Sequence, residues 1–367
     1  MPPDRNAPAA LDRASQLERL QREIFDAAII GGGINGAAVA RDAAMRGLRV
    51  ALLDGGDFAG ATSSRSSKLI HGGLRYLPQG HLRLVRAALR ERERLRHLTA
   101  PHLVKRIEFL FPFYRGQSPG RLAISAGLIF YDLFARMPRG EHHRRIGPAA
   151  VAELEPMLKA EGLVGGAIYL DGWGDDARIT LENAIDSAYH GAAIANYVRV
   201  ERFSRIGARI GAAAALDIET GVLFELRARV FVNAAGPWAD DIRRMEQPDS
   251  APSIRLTKGV HIVVEKSRMP VRNSLVLADD AGRIIFVMPH GDCVLIGTTD
   301  TDFDGDRAHV AADRGDISYL LETVNAAMPI CDLRQQDVAW SFAGLRALAI
   351  GGGARKPSSI AREETII

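Results

Sequence analysis

The 367-residue sequence predicts an α/β protein in which a parallel sheet opens the chain and an antiparallel sheet follows. Three observations predict this. Residues 25–54 read strand, glycine turn, helix, strand, the βαβ unit that implies parallel pairing. Residues 254–299 hold the apolar runs Gly259–Val264, Ile284–Pro289 and Val294–Ile296, the last two joined by a tight His290-Gly291-Asp292 turn of antiparallel type. The composition, 47% hydrophobic and 25% charged, is that of an ordinary globular chain with room for about two domains.

The elements follow in order. Ser15 and Glu18 fit a capping box, with Leu17, Leu20 and Ile24 as a helical stripe. No apolar signal region precedes them, so no secretory leader is expected. Phe25–Ile30 is a short apolar strand and Gly31–Gly36 a turn. Ile34–Arg46 is an alanine-rich helix stopped at Gly47, and Leu48–Leu53 is a second strand ending at Asp54. Residues 57–81, rich in Ser, Gly and Arg, read as a long functional loop. Residues 82–98 form an arginine-laden helix, 99–164 are mixed, and Ala177–His190 is a helix. Strand-like pieces run to Phe231, and Asn233–Gly236 is a tight turn beside Pro237.

Charge and cysteine usage exclude several classes. The net charge of +3 is too small to argue for nucleic acid, and no nucleic-acid partner is expected. Cys293 and Cys331 are too few and too far apart for a disulfide framework or a zinc motif. Leu122–Phe134, the longest apolar stretch, would span about 20 Å as a helix against the roughly 30 Å of a bilayer core. Asp300-Thr-Asp302-Phe-Asp304-Gly305 opens like a calcium loop, but Ala311 stands where the closing glutamate is required, so no metal is expected.

Gly31-Gly32-Gly33-Ile34-Asn35-Gly36 satisfies the dinucleotide pattern G-x-G-x-x-G between a strand and a helix. Gly31 permits the turn, Gly33 lets backbone approach a pyrophosphate, and Gly36 allows close helix–strand packing. The helix start offers free N–H groups to the diphosphate. Asp54, at the end of the second strand, is placed to accept from a ribose diol. This pattern alone leaves FAD and NAD open. The small-residue turn Asn233-Ala-Ala-Gly236 reads as a strand returning to the same crevice, with Ala235 and Gly236 passing close to the cofactor.

The run Thr62-Ser-Ser-Arg-Ser-Ser-Lys-Leu-Ile-His-Gly-Gly-Leu-Arg-Tyr-Leu77 is more specific than the glycines. With it stand Gly174-Asp-Asp-Ala-Arg178, Asn233–Trp238, Lys258-Gly-Val-His-Ile-Val-Val264, Gly297-Thr-Thr-Asp300 and Gly344-Leu-Arg346. On these motifs the chain, from about residue 25 to its end, resembles the FAD-dependent, respiratory (aerobic-type) glycerol-3-phosphate dehydrogenases. The resemblance implies a D-amino-acid-oxidase-like flavoprotein, with a Rossmann-like FAD-binding parallel sheet interleaved with an antiparallel-sheet substrate domain. It implies residues 1–24 as an N-terminal extension and 25–80 plus 165–245 as the FAD part. Residues 81–164 plus 246–350 would form the substrate part, with 351–367 returning to the first.

The resemblance further implies noncovalent FAD, oxidation of sn-glycerol 3-phosphate to dihydroxyacetone phosphate, and electron transfer to a membrane quinone. In the turn, Gly31, Gly33, Ile34, Asn35 and Gly36 would hold FAD, followed by Asp54. In the loop, Thr62, Ser63, Ser64 and Ser67 would join them, with Lys68, Leu69, His71 and Gly73. Arg75, Arg346 and Arg362 would bind the substrate phosphate with planar guanidinium groups, with Tyr76 beside them. His261 and His71 are the candidate bases, since imidazole titrates near neutral pH. The alternative reading of His261 is a hydrogen-bonded core or loop histidine, and that of His71 a residue that orders the isoalloxazine ring.

The chain departs from the family in three places. Ala347 stands where proline is usual, and Asp54 where glutamate is usual. The family's glycine- and lysine-containing closing segment and helical C-terminal domain do not follow Ile367, so a C-terminally truncated member is expected. The alternatives are another oxidase of the same fold and a truncated, inactive FAD-binding protein. The arginines at 83, 86, 90, 92, 94 and 96 read by default as a solvated helix face, with anionic lipid contact as the functional alternative. The implied location is the cytoplasmic side of the inner membrane, peripheral, or otherwise the cytoplasm, and a homodimer is left open.

Overall fold

The computed structural model describes residues 11–77, 80–117, 120–135, 141–279 and 281–350, without the side chain of Arg75. Among these, the chain forms two compact units, one of residues 11–65, 175–256 and 346–350, the other of 66–174 and 257–345.

The first segment carries α1 (Arg13–Arg22), β1 (Ile24–Ile30), α2 (Ile34–Met45) and β2 (Val50–Leu53). The second carries β3 (Leu69–Ile70), α3 (Leu82–Arg94), β4 (Val104–Tyr114), α4 (Arg121–Ala135), β5 (Arg144–Ile146), α5 (Pro148–Leu154) and β6 (Leu163–Gly174). The third carries α6 (Asp176–Tyr189), β7 (Ala193–Ala195), β8 (Val198–Ile206), β9 (Arg209–Asp217), β10 (Leu223–Asn233) and α7 (Ala239–Arg244). The last carries β11 (Ile254–Glu265), β12 (Ser274–Ala278), β13 (Ile284–His290), β14 (Cys293–Gly297), β15 (Thr301–Asp302), α8 (Arg314–Ala327) and β16 (Val338–Ala349).

The first unit is built on a sheet ordered β7-β2-β1-β10-β9-β8. β7, β2, β1 and β10 run parallel, and β9 and β8 continue antiparallel. One face packs on α2 and α6 through Ile29, Ala37, Ala40, Ala44, Leu52 and Ala184. The alanines recur at helical spacing, and their small side chains let α2 lie close to the sheet. The other face packs on Leu20 of α1, which is fully buried, so Leu20→Ala would cost about 2–5 kcal/mol.

The second unit is built on a mainly antiparallel sheet ordered β15-β11-β14-β13-β12-β4-β6-β3, with β16 beside β11 and β5 beside β6. One core joins β11, β13 and β14 to α8 through Val260, Ile262, Leu320 and Val324. A second joins β4 and β6 to α3 and α4 through Leu89, Phe109, Leu128, Tyr131 and Tyr169. The hairpin expected at His290-Gly291-Asp292 is present, with Gly291 at φ +57°.

Several boundaries differ from the sequence reading. The break expected at residue 80 falls after Arg65, and the one at 165 falls before Asp175. The reason is pairing: Leu69 and Ile70 lie antiparallel to Trp173 and Gly172 in the second unit's sheet. Residues 246–256 stay with the first unit, where the Asp240 carboxylate accepts from the N–H groups of Ser253 and Ile254. The expected N-terminal extension is part of the first unit, because α1 buries Leu20 and Gln16 accepts from the Ile194 N–H. Its cap is Asp12, whose carboxylate accepts from the Ser15 N–H at 2.8 Å, so Ser15 is the donor and not the cap. Ile24 belongs to β1.

Candidate functional site

The first unit contains the nucleotide turn. β1 and β10 pair in register up to Ile30 opposite Asn233, which brings Asn233-Ala-Ala-Gly236 beside Gly31. The Ala234 N–H donates to the Ile30 carbonyl at 2.8 Å. Gly31 sits at φ +111°, and a Cβ there would lie 2.4 Å from the Ala234 oxygen, so only glycine fits. A Cβ on Gly36 would lie 1.8 Å from the Gly31 oxygen, which is the close helix–turn packing the motif requires. Gly33 precedes α2 with extended backbone and no side chain to cap it, so the N–H groups of Asn35 and Gly36 are left for a ligand, while that of Ile34 bonds Ser63. Ile34 and Asn35 are exposed at that helix start.

Two further contacts shape the turn. Ser63, in the short turn Thr62–Ser64, accepts from the Ile34 N–H at 2.9 Å. Asp54 accepts from the Gly32 N–H at 2.6 Å and the Gly56 N–H at 2.8 Å. In the structure Asp54 ties the glycine turn to the end of β2. Burial raises its pKa, against the two N–H bonds that lower it. Gly32, which the motif leaves free, is fixed by packing: a Cβ there would lie 2.3 Å from the Phe58 ring. After β10, Asn233 accepts from the Ala235 N–H, and Gly236 turns at φ +53°. The N–H groups left after Ile34 at the helix start, and the lack of room for Cβ atoms at Gly31 and Gly36, fit a dinucleotide diphosphate. Arg346 lies half-buried on β16.

The second unit contains the histidines. His261, on β11, is 1% exposed. Its Nε2 and the Ser67 hydroxyl are 2.7 Å apart, and its ring stacks on Phe342 at 4.9 Å. Gly297 lies opposite it, where a Cβ would fall 2.2 Å from the imidazole. Thr299 accepts from the neighbouring Val260 N–H at 3.0 Å. His261 is therefore a buried histidine held by a serine hydroxyl, as a hydrogen-bonded core histidine would be. Phe342 and Gly297 were missed as its neighbours, because they reach it only through strand pairing.

In the loop before, Lys68 has φ +61°, and its carbonyl accepts from the Gly174 N–H. Leu69 is half-buried in β3. His71 is exposed, and its Nδ1 accepts from the Gly73 N–H at 2.9 Å. That bond places the neutral ring's proton on Nε2. Gly73, at φ +71°, opens the turn Leu74–Tyr76, and Tyr76 is buried at 6% exposure. Arg75 contributes its backbone to that turn. Arg362 lies outside the described residues.

The arginine helix departs from the solvated-face expectation. Arg83, Arg86, Arg90 and Arg94 are exposed, but Arg92 and Arg96 are buried. Among the described residues, no cluster of three or more His, Cys, Asp or Glu is placed to hold a metal, and no helix is long and apolar enough to cross a membrane.

A parallel sheet with a glycine turn against its return strand, alternating along the chain with an antiparallel sheet, defines a dinucleotide-binding protein. The chain belongs to the FAD dependent oxidoreductase family, which matches residues 26–359, and FAD is the family's cofactor. Within it, the chain is 35% identical over 360 residues to the aerobic glycerol-3-phosphate dehydrogenase of Staphylococcus haemolyticus, covering 98% of this chain and 64% of that protein. It is 40% identical over 354 residues to the glycerol-3-phosphate dehydrogenase of Mycobacterium leprae, covering 96% and 60%. It resembles the X-ray structure of the Bacillus halodurans glycerol-3-phosphate dehydrogenase complexed with FAD, with a TM-score of 0.76 and 32% identity, covering 96% of this chain and 62% of that one. The chain thus spans less than two thirds of the length of these relatives.

Proposed function

We propose that the protein oxidises sn-glycerol 3-phosphate to dihydroxyacetone phosphate, with FAD as hydride acceptor and a membrane quinone as the onward electron acceptor. The observation that carries the reading is the 35–40% identity to glycerol-3-phosphate dehydrogenases along almost the whole chain. Bound FAD supplies the two-electron acceptor, and the protein supplies orientation and electrostatics. In this reading the N–H groups at the start of α2 bind the diphosphate, with Asp54 on the adenosine ribose. Oxidising the alcohol releases one hydroxyl proton. His261, with Ser67 on its Nε2, is the assigned acceptor of that proton, and His71 is the alternative. Arg346, with Arg75 and Arg362, is assigned to the substrate's phosphate.

The proposal extends to a peripheral location on the cytoplasmic face of the inner membrane. The supporting observation is that α4 exposes Leu122, Ile129, Phe130 and Leu133, and that α3, which shares a core with it, exposes Arg83, Arg86 and Arg90. Apolar insertion with flanking cations suits an anionic lipid surface.

The test is anaerobic flavin bleaching in the FAD-loaded chain. Glycerol 3-phosphate should bleach the flavin, and glycine or D-alanine should not. Bleaching by the amino acids alone would replace the proposal with an amino-acid oxidase.

A further inference from the structure

The buried Arg92 belongs to a hydrogen-bonded chain within the second unit. Its Nη1 donates to Asp171 Oδ1 at 2.8 Å and to the Leu170 carbonyl at 3.2 Å, and its Nε donates to Glu93 at 2.8 Å. The other oxygen of Asp171 accepts from the Tyr131 hydroxyl at 2.7 Å. The Tyr131 oxygen in turn accepts from the Gly72 N–H, also at 2.7 Å. Arg92, Asp171 and Tyr131 are 0%, 3% and 1% exposed, so no water screens these bonds.

The polarity of the chain is fixed by charge. An ionised carboxylate only accepts, so the tyrosine must donate to Asp171, and its oxygen is left to receive the loop N–H. Burial, with Asp171 beside it, holds the Tyr131 hydroxyl protonated far above its ordinary pKa. Gly72 is pressed into place as well: a Cβ there would lie 2.5 Å from Leu89 and 2.8 Å from the Tyr131 ring. Its neighbours are His71 and Gly73, which bond to each other and open the turn Leu74–Tyr76.

A buried ion pair is weak as a device for stability, since well-packed apolar residues of similar volume serve as well or better. What it supplies here is a single orientation for one hydroxyl, aimed at one peptide of the loop. We propose that Tyr131, oriented by the Asp171–Arg92 pair, is a positioning residue that sets the backbone of the His71–Tyr76 loop for cofactor and substrate. The substrate arm of this inference rests on the proposed function, whereas the backbone arm does not.

The experiment compares Tyr131→Phe with Tyr169→Phe in the full chain. Tyr169 is a buried control whose ring lies 6.1 Å from that of Tyr131. In Tyr131→Phe, amide hydrogen exchange in peptides covering residues 71–77 should rise about tenfold, because the Gly72 N–H loses its acceptor. Exchange in β4 and β6 should not change. The KM for glycerol 3-phosphate should rise about tenfold with a smaller change in kcat, and Tyr169→Phe should alter neither. Wild-type exchange at residues 71–77, or a rise of equal size across β4 and β6, would overturn the proposal. If the wild-type chain fails to react with glycerol 3-phosphate, the proposed function is refuted and the exchange measurement still decides this inference.

Discussion

Gly33→Ala should separate cofactor binding from folding. Gly33 has extended backbone, φ −73° and ψ −178°, which any residue adopts without strain. The added methyl meets one neighbour, the Ser63 hydroxyl at 3.2 Å. Ser63 would shift by a few tenths of an ångström and weaken its bond from the Ile34 N–H, a loss of about 1 kcal/mol at most. Gly36→Ala is the contrast. Its methyl would lie 1.8 Å from a backbone oxygen that cannot turn aside, and about 3 kcal/mol or more should be lost. For binding, the proposed function places the Gly33 methyl where backbone approaches the diphosphate. Losing one charge-assisted N–H contact there costs about 1.5–3 kcal/mol, so FAD affinity should fall roughly 10- to 150-fold. Urea unfolding of the FAD-free chain and titration by quenching of flavin fluorescence read the two effects separately. Wild-type FAD affinity in Gly33→Ala would refute the approach of backbone to the diphosphate. Wild-type stability in Gly36→Ala would refute the account of the helix–turn packing.

Three other outcomes are expected. His261→Asn should lower kcat with glycerol 3-phosphate about 100- to 10,000-fold while FAD absorbance is retained, and an unchanged kcat would remove it as the base. Arg346→Ala should lower kcat/KM by about 2–4 kcal/mol with unchanged flavin content, and wild-type kinetics would take it out of the substrate site. Lys258 on β11 bonds Asp313 and Asp316 at the start of α8, each at 2.6 Å. The Lys258 bond holds Asp313 down to about 2 from 3.8. Burial would lower Lys258, but its bonds to the two carboxylates raise it above 10.5. The carboxylate contribution is full above pH 3.8 and is lost as pH falls through about 2. The lysine contribution is present below 10.5 and is lost as pH rises past its raised value. The urea-midpoint difference between wild type and Lys258→Met should therefore stay level from pH 5 to 9 and shrink below pH 4. A difference that grows in acid would contradict this.

The glycine turn was legible because its determinants are local: strand, Gly31, Gly36 and Asp54 fall within one βαβ unit, and their spacing alone constrains the geometry. The return strand was legible as far as Asn233, since a small-residue turn after an apolar run has few other readings. The placement of residues 66–80 was not. Whether Leu69 and Ile70 stay with the nucleotide sheet or join the other depends on Trp173 and Gly172, about 100 residues away. Arg92 shows the same limit. Six arginines in one helix read as solvated, and nothing within the helix marks Arg92 as the one that meets Asp171, 79 positions on. His261 is a candidate through motif resemblance alone, while its neighbours Phe342 and Gly297 are visible only once β11, β14 and β16 are paired.

The pairing of β1 with β10 has a consequence for synthesis on the ribosome. Ile30 waits for Asn233, about 200 residues further along the chain. At roughly 5–20 residues per second, the amino-terminal strand emerges about 10–40 s before the neighbour that completes its ladder. Through that interval its open edge is a site for misassociation, and chaperone demand during translation should scale with it.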